Sequence, residues 1–246
     1  MLSFVPNFFQ FNCNAQNADS FKEYELKLGN NQSEKAKQPP LHWAIENQKI
    51  EDATLLIDSE ADVNLKDKKG KTPLHLAVEN AIPRGEIQKS ISLIKALIEA
   101  RADLDAEDDC GQTPLHWALI KRNGDVATLL IDSGANVKAK TKMGLTPLDL
   151  TIEHNNTYDV VKSLIDNRAD VNAIGLDGRT TLHRDISNKE SSVAILLINN
   201  GANVNFKGFW GTPLHEAVDM AIYKDYNGDI QLLIDNEADV NAEDEF

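Results

Sequence analysis

The sequence predicts an all-α solenoid of six stacked helix-turn-helix units joined by hairpin-like loops. Two short motifs predict this fold. The first is Thr-Pro-Leu-His or a close variant, and its leucine recurs at positions 41, 74, 115, 148, 182 and 214. The second, of the form Ala-Asp-Val-Asn, begins at positions 61, 102, 135, 169, 202 and 238. Because the motifs keep register six times, we infer that one structural unit is repeated along the chain.

Each unit has local signals for two helices. Thr72 suits a helix N-cap, and Pro73 suits the first helical position, where a missing backbone N–H costs nothing. Leu74 and Val78 lie on one face of the helix that follows. A second helix carries an apolar run such as Leu129–Ile131, and a glycine-containing turn closes the unit. Because no unit buries its apolar face alone, stability must come from stacking.

The chain resembles the ankyrin-repeat family, since a period near 33 residues and a Thr-Pro-Leu-His-x-Ala core are marks of that family. The resemblance covers about residues 38–242. We therefore divide the chain into an N-terminal extension, residues 1–37, and six repeats, residues 38–246. The extension is rich in phenylalanine, and we interpret it as a capping helix over the first repeat. The alternative is a docking peptide that binds a partner.

Some repeats depart from the pattern. The second repeat has extra residues near 81–86 and the sixth near 223–228, which indicates a lengthened helix or surface loop, with a contact edge as the alternative. In the fifth repeat, Thr181 replaces the proline, and Arg184 with Asp185 replaces an apolar-small pair. We expect a locally shifted helix there, with Asp185 paired to Arg184 or Arg179, because an unpaired buried carboxylate is costly.

The sequence favours no catalytic, metal or cofactor site. Five of the six histidines occupy the fourth motif position, so we interpret them as hydrogen-bonding struts between loop and helix. Whole repeats separate them, too far apart to share a metal ion. The two cysteines, Cys13 and Cys110, have no basic or histidine-bearing neighbourhood, and we expect both to be free thiols in a reduced compartment.

Charge and hydropathy exclude other classes. The chain has 246 residues with 25 Lys and Arg against 39 Asp and Glu, a formal net charge of −14. Nucleic acids and anionic membranes attract broad positive surfaces, so we expect neither as a partner. No apolar run is long enough for a membrane span. We expect a cytoplasmic monomer, delivered into a host cell under the more specific hypothesis below.

The resemblance implies where a protein partner binds. In ankyrin proteins the loop tips and the inner face of the first helices form a concave binding surface. The repeat register gives tips that are basic, acidic, basic, neutral and finally aromatic. The alternative is a solvated charge pattern that prevents self-association. The candidate partner-binding residues are Lys66, Lys68, Lys69, Lys71, Glu107, Asp108, Asp109, Lys140, Lys142, Phe206, Phe209 and Trp210. The tryptophans after the motif histidine, Trp43 and Trp117, are predicted to be core residues.

The predicted function is therefore a non-catalytic protein–protein interaction module, acting as an adaptor, scaffold or inhibitor. A more specific hypothesis is a bacterial or viral ankyrin protein that acts on host proteins. The alternative is a structural solenoid whose activity resides in a missing partner or fused module. Neither motif names the partner, because fold does not imply function.

Overall fold

A computed structural model describes residues 38–81, 87–154, 158–175, 177–188, 191–224, 226 and 228–243. The chain divides into two units between Pro39 and Pro40, and the account below concerns the second of them. The proposed capping helix within residues 1–37 lies outside the described residues, as do residues 82–86 of the first insertion. The division into an extension and six repeats therefore stays a prediction.

The described part of the chain contains twelve helices in six antiparallel pairs, which confirms the predicted all-α stack of helix-turn-helix units. Apart from isolated bridges at Ile174–Thr180 and Gly208–Gly211, no strand occurs in these ranges. The helices are α1 Pro40–Glu46, α2 Ile50–Asp58, α3 Pro73–Glu79, α4 Ile87–Glu99, α5 Pro114–Ile120, α6 Gly124–Asp132, α7 Pro147–Glu153, α8 Tyr158–Asp166, α9 Thr181–Asn188, α10 Ser191–Asn199, α11 Pro213–Lys224 and α12 Gly228–Asp235.

The core lies between successive helix pairs. The first helices stack in chain order, α1 on α3, α3 on α5, α5 on α7, α7 on α9 and α9 on α11. The motif leucines at these contacts, such as Leu74, Leu115 and Leu148, have no exposed surface. Burying one leucine side chain contributes roughly 1.5–3 kcal/mol. The stack is therefore held together by these buried motif leucines and the side chains around them.

Threonine begins most first helices, and the motif histidine completes the cap. Thr72 has extended backbone angles, and Pro73 takes the first helical position. The Nδ1 atom of His75 accepts a hydrogen bond from the backbone N–H of Thr72 at 3.1 Å and lies 2.8 Å from its hydroxyl oxygen. Since Nδ1 accepts, the ring proton of the neutral imidazole is on Nε2. The Nε2–H donates to the carbonyl oxygen of Gln112, 3.0 Å away in the next repeat.

The same contact recurs at two other repeats, so the interpretation as struts is confirmed for His42, His75 and His183. Nε2 of His42 lies 3.1 Å from the carbonyl oxygen of Lys71, and Nε2 of His183 lies 3.3 Å from that of Gly211. Burial lowers the pKa of His183 to about 4, against the opposing effect of the Gly211 carbonyl. Burial likewise lowers the pKa of His116 to about 4. The rings of His116 and His183 therefore stay neutral at pH 7, as an accepting Nδ1 requires.

A second set of contacts joins the loops, and we call it the amide ladder. Oδ1 of Asn64 accepts from the backbone N–H of Asp103 at 2.7 Å, across one repeat boundary. The matching side chains of Asp105, Asn172 and Asn205 accept in the same way from the following repeat, each at 2.7 Å. Lys138 occupies this position between repeats three and four, and an equivalent bond is missing there among the described residues. The ladder is thus interrupted once.

Repeats four and five are joined by a buried polar cluster. Asp149 replaces the motif histidine and is fully buried. Its Oδ2 accepts from the backbone N–H of Thr146 at 3.0 Å and from the Thr146 hydroxyl at 2.8 Å, so it caps α7 as histidine caps the other helices. Its Oδ1 accepts from the hydroxyl of Thr181 at 2.9 Å and lies 3.6 Å from Nε of Arg184. Because a carboxylate cannot donate, Thr181 supplies the donor where other repeats have proline.

The guanidinium of Arg184 completes the cluster, which we define as Asp149, Gly175, Asp177, Thr181 and Arg184. It is 5% exposed and donates to Oδ1 of Asp177 at 2.6 Å. Gly175 stands where earlier turns have aspartate or threonine, and a Cβ there would lie 2.4 Å from the guanidinium nitrogen. Four of these residues depart from the repeat pattern, and they form one matched set. They are Asp149, Gly175, Thr181 and Arg184.

The structure corrects the expectation for the fifth repeat. Nδ1 of His183 accepts from the backbone N–H of Thr180 at 3.3 Å, so α9 begins in the same register as its neighbours. The predicted shift of this helix is wrong. Arg184 fits without any shift of α9 because the residues around it, Asp149, Gly175 and Thr181, differ from those in the other repeats. Asp185 is buried, and Arg179, one of its two predicted partners, forms an ion pair with Glu216.

The structure also bears on the extra residues of the sixth repeat. The first helix of the sixth repeat, α11, has twelve residues where α3, α5 and α7 have seven, so a lengthened helix accounts for part of the second insertion.

Candidate protein-binding surface

The candidate surface is built from five turns that project from the stack. We call residues 65–71, 106–112, 138–145, 173–179 and 206–211 the loop tips. Each tip reverses at a glycine with positive φ, for example +73° at Gly70. A Cβ on Gly70 would lie 2.9 Å from the backbone nitrogen of Asp109, so glycine also allows adjacent tips to touch.

The first three tips form one continuous edge. Nζ of Lys66 donates to the carbonyl oxygen of Glu107 at 2.8 Å, and the backbone N–H of Asp109 donates to the carbonyl oxygen of Lys69 at 3.0 Å. Nζ of Lys142 then donates to the carbonyl oxygen of Asp109 at 2.7 Å. The side chains of Glu107 and Asp109 remain exposed. Hydrogen bonds to main-chain carbonyl oxygens therefore hold the tips in register and leave these carboxylates on the surface.

Most of the predicted basic residues are exposed at these tips. The structure exposes Lys66, Lys68, Lys69, Lys140 and Lys142.

Two of the predicted contact residues are buried, so their expected exposure is corrected. Nζ of Lys71 donates to Oε2 of Glu79 at 2.7 Å and lies 3.7 Å from the ring centre of Trp117, a cation–π contact. Oδ1 of Asp108 accepts from the backbone of its own turn, and its Oδ2 accepts from Nε1 of Trp117 at 2.9 Å. Both side chains fold back onto Trp117, where they support the tips.

The fifth tip is aromatic. Phe209 is 63% exposed and Trp210 is 65% exposed. One edge of the Phe209 ring lies against the backbone of Gly178, since a Cβ on that glycine would be 2.5 Å from the ring. Phe206 is half-buried and makes an edge-to-face contact with His183, with ring centres 6.1 Å apart. Phe206 is therefore mostly part of the scaffold, whereas Phe209 and Trp210 present most of their surface to solvent.

Sequence reasoning missed several exposed apolar residues at the tips. Leu65 is exposed where four of the other repeats have alanine, and Ile174 is exposed where the others have a charged residue. Met143 is exposed at the third tip, in the position that Trp210 takes in the fifth. A comparison of the repeats position by position would have found these substitutions. Trp43 is also exposed, which corrects its prediction as a core residue, while Trp117 is half-buried.

The described residues were also compared with the requirements of a metal-ion site and of a membrane-spanning helix. Among them, no group of three or more His, Cys, Asp or Glu side chains is arranged to hold a metal ion. None of the described helices has both the length and the apolar composition needed to cross a membrane.

Comparison with known proteins identifies the family. A family model of ankyrin repeats matches three segments, residues 11–88, 81–175 and 152–244. The chain belongs to the ankyrin-repeat family. The ankyrin repeat domain of Bcl-3, described as a unique member of the IkappaB protein family, superposes with a TM-score of 0.70 at 26% identity, over 84% of this chain and 90% of that one.

Ankyrin-repeat proteins of varied origin are similar in sequence. A putative ankyrin repeat protein of fowlpox virus is 44% identical over 163 residues, which is 66% of this chain and 28% of that protein. The human neurogenic locus notch homolog protein 1 is 29% identical over 173 residues, 70% of this chain and 5% of that protein. The chain thus spans less than a third of these relatives. Ankyrin repeats are protein–protein interaction modules and generally lack catalytic activity.

Proposed function

We propose that this ankyrin stack binds a protein partner through its loop tips and the adjoining inner face, as an adaptor, scaffold or inhibitor without catalytic activity. The observation that carries the proposal is the exposure of Phe209 and Trp210 on the fifth tip. Large aromatic side chains with most of their area in water are typical of interface hot spots. Leu65, Met143 and Ile174 add apolar area to the same row of tips.

Charge supports the same surface. The tips carry seven exposed lysines, namely Lys66, Lys68, Lys69, Lys138, Lys140, Lys142 and Lys207, against two exposed acids, Glu107 and Asp109. The second helices and the turns after them carry exposed acids instead, for example Asp58, Asp132 and Asp166. A chain of net charge −14 therefore has one basic edge. Such an edge orients an approaching partner that carries acidic groups.

A host protein is the more specific partner we propose. The similarity to a fowlpox virus protein, and to a putative ankyrin repeat protein of Acanthamoeba polyphaga mimivirus at 26% identity over 158 residues, favours a role of this chain inside a host cell, in the cytoplasm. The second candidate is a structural solenoid whose activity lies in a partner or fused module. The small fraction of its relatives that the chain spans favours this alternative.

Affinity capture with cross-linking in cell extract tests the surface. Two variants, Phe209→Ala/Trp210→Ala and Lys68→Glu/Lys69→Glu, remove the anchors and reverse the charge of one tip. We expect recovery of the captured partner to fall roughly ten-fold or more in each, since a hot-spot side chain contributes about 2 kcal/mol.

The matched controls lie on second helices, away from the tips. Tyr158→Ala removes another exposed aromatic side chain, and Lys95→Glu reverses another exposed lysine. Circular dichroism confirms that each variant is folded. Unchanged capture in both tip variants would contradict this surface, and a partner lost equally in the controls would indicate non-specific charge or hydrophobic binding.

A further inference from the structure

The first three loop tips share two exposed positions whose charge follows a fixed order. The first position precedes the residue whose backbone N–H closes the turn, as that of Asp67 does on the carbonyl oxygen of Lys71 at 2.8 Å, and the second follows it. In tip order, these positions hold Lys66 and Lys68, Glu107 and Asp109, and Lys140 and Lys142. The sign of the charge is therefore the same within a tip and alternates between neighbouring tips.

The last two tips carry apolar area at the same positions. The fourth tip has Ile174 at the first position, and this side chain is 43% exposed. The fifth tip has Phe209 at the second position, with Trp210 directly after it, and keeps one positive charge on Lys207. The row of tips is thus basic, acidic, basic and then apolar at its last two members.

Attraction between neighbouring tips does not explain the alternation. Within the first three tips, no lysine forms an ion pair with a carboxylate of the adjacent tip. The ammonium groups of Lys66 and Lys142 instead donate to main-chain carbonyl oxygens of the second tip, which any residue there would offer. The carboxylates of Glu107 and Asp109 are therefore available to charges outside the chain.

The reversal of sign distinguishes the tips from another exposed position that recurs in all six repeats. At the end of each second helix, this position is acidic in five repeats and neutral in the fifth repeat, and it is never basic. In chain order its residues are Asp58, Glu99, Asp132, Asp166, Asn199 and Asp235. The acidity of that position repeats with the fold, whereas the charge of the tips changes sign twice within three repeats.

The stacking of the repeats sets the distance between equivalent positions on neighbouring tips. Packed helices lie about 8–10 Å apart, and an extended chain advances about 3.3 Å per residue. One step along the tips therefore corresponds to about three residues of an extended segment that runs beside them. A row of charged and apolar groups in single file is complementary to such a segment.

We propose that the tips bind an extended segment of a partner protein whose side chains, at steps of about three residues, are acidic, basic, acidic, apolar and apolar. The inference rests on the proposed function and specifies the partner. The acidic groups face the lysines of the first and third tips, and the basic group faces the carboxylates of the second tip. The apolar groups cover Ile174 and Phe209. Charge fixes the register of the segment, and the buried aromatic area contributes much of the affinity.

Two peptides of identical composition test this register. Each has about 14 residues, with three blocks of two charged residues at steps of about three, followed at the same step by leucine and tryptophan. The matched peptide has the blocks Glu-Glu, Lys-Lys and Glu-Glu, and the permuted peptide has Lys-Lys, Glu-Glu and Glu-Glu. Each is made in both chain directions, and the tighter-binding direction of each is compared by fluorescence anisotropy with the full chain.

We expect the matched peptide to bind roughly ten-fold more tightly than the permuted one. The permuted peptide places like charges opposite the first two tips, and several weak charge contacts together amount to a factor of this size. The preference should decrease as salt is raised, because the groups are exposed to solvent. Since net charge and composition are equal, general attraction of acidic peptides to the lysines predicts no preference.

A reciprocal variant assigns the preference to the tips. It exchanges the charges of the first two tips through Lys66→Glu, Lys68→Glu, Glu107→Lys and Asp109→Lys. The net charge stays at −14, and the permuted peptide should now bind more tightly by a similar factor. As the matched control, Lys162→Asp/Asp166→Lys exchanges the charges of an exposed ion pair on α8 and should leave the preference unchanged.

A milder variant keeps the test decisive if circular dichroism shows that the exchanged chain is unfolded. Glu107→Gln/Asp109→Asn removes the two carboxylates with little change of shape and should reduce the preference several-fold. Equal binding of the two peptides to the wild type, binding of neither, or a preference that the tip variants retain would each overturn the inference.

Capture from cell extract separates failure of this inference from failure of the proposed function. Peptides without a preference, together with capture that still depends on Phe209 and Trp210, would mean that the tips bind a partner by another arrangement. Capture that is independent of the tips would contradict the proposed function as well.

Discussion

Arg184 is a buried charge that depends on three neighbouring residues. Its guanidinium is 5% exposed and lies against the carboxylates of Asp149 and Asp177, in a space that Gly175 leaves open. A buried charge that loses its partner costs about 3–5 kcal/mol, whereas replacing the whole ionic group by apolar residues is often neutral or stabilising. The stability of the boundary between repeats four and five should therefore depend on the buried polar cluster as a whole rather than on any one of its residues.

The first prediction is a non-additive response in the buried polar cluster. Arg184→Leu, which restores the apolar residue of the first four repeats, should lower the free energy of unfolding by about 3 kcal/mol because it leaves Asp149 and Asp177 without their cation. The combined variant Asp149→His, Gly175→Asp, Thr181→Pro and Arg184→Leu should recover most of that loss. Urea unfolding measures both. Equal losses from Arg184→Leu in the wild-type and Asp149→His backgrounds would show that the two residues are not coupled.

At the scale of the helix, the motif histidines act only in the neutral form. The Nδ1 atom of His75, His116, His183 and His215 caps the N-terminus of its own helix, and the Nε2 atom of His42, His75 and His183 reaches the next repeat. Protonation would remove the acceptor and place a charge in a buried site. The first helices are therefore attached by a bond that acid breaks.

The second prediction follows from the lowered pKa of His116 and His183, each about 4 against an ordinary value of 6.5. Between these values the unfolded chain binds more protons than the folded one, so stability is full above pH 6.5 and falls as the pH decreases toward 4. The expected loss for each histidine is on the order of 2 kcal/mol by about pH 5. Urea unfolding at several pH values measures it.

His116→Gln provides the control for this pH dependence. Glutamine at the third helical position can also accept from the N-cap backbone, but it does not titrate. The variant should therefore keep its fold at neutral pH and lose less stability on acidification than the wild type. An unchanged slope of stability against pH would mean that His116 does not titrate in the expected window.

At the scale of the whole molecule, the stack is a chain of nearest-neighbour contacts, and its boundaries are unequal. Four of the boundaries have an amide-ladder bond across the loops, whereas the boundary between repeats three and four has Lys138 instead. In a linear array, stability is a sum of repeat and interface contributions. One added or lost interface bond should change the stability of the whole array.

The third prediction is that Lys138→Asn strengthens the stack. The new amide should accept from the backbone N–H of Asp170, as Asn172 accepts from that of Asn203, and raise the free energy of unfolding by about 1 kcal/mol. Lys138→Ala removes the lysine without adding an amide and should have a much smaller effect. Urea unfolding compares the two. Equal changes in both variants would assign the gain to loss of the positive charge.

Much of this fold could be predicted because its signals are local and repeated. The threonine cap, the proline after it and the enclosed leucine lie within three residues of one another, and the motif recurs at each first helix. The polar cluster could not be predicted, because Asp149 and Thr181 are 32 residues apart and each looks like an isolated exception. Only the stacking brings the two exceptions into contact.

The candidate surface was predicted less completely, for a different reason. The sequence indicates which residues lie in a tip, but not which way each side chain turns. Lys71 and Asp108 turn back onto Trp117, whereas Lys68 and Lys69 in the same region remain in solvent. The direction of the Lys71 side chain depends on the ring of Trp117, which lies one repeat away. Turn propensities consider only residues near in sequence, so they do not predict this contact.

The matched substitutions in the buried polar cluster restrict how this gene could be shortened, lengthened or recombined. Repeats with the ordinary motif are interchangeable in principle, since a motif histidine can donate to a carbonyl of the next repeat, as His42, His75 and His183 do. A copy of repeat four placed before any module other than repeat five would present Asp149 to a proline, which offers no donor. The two modules must therefore be inherited as a pair.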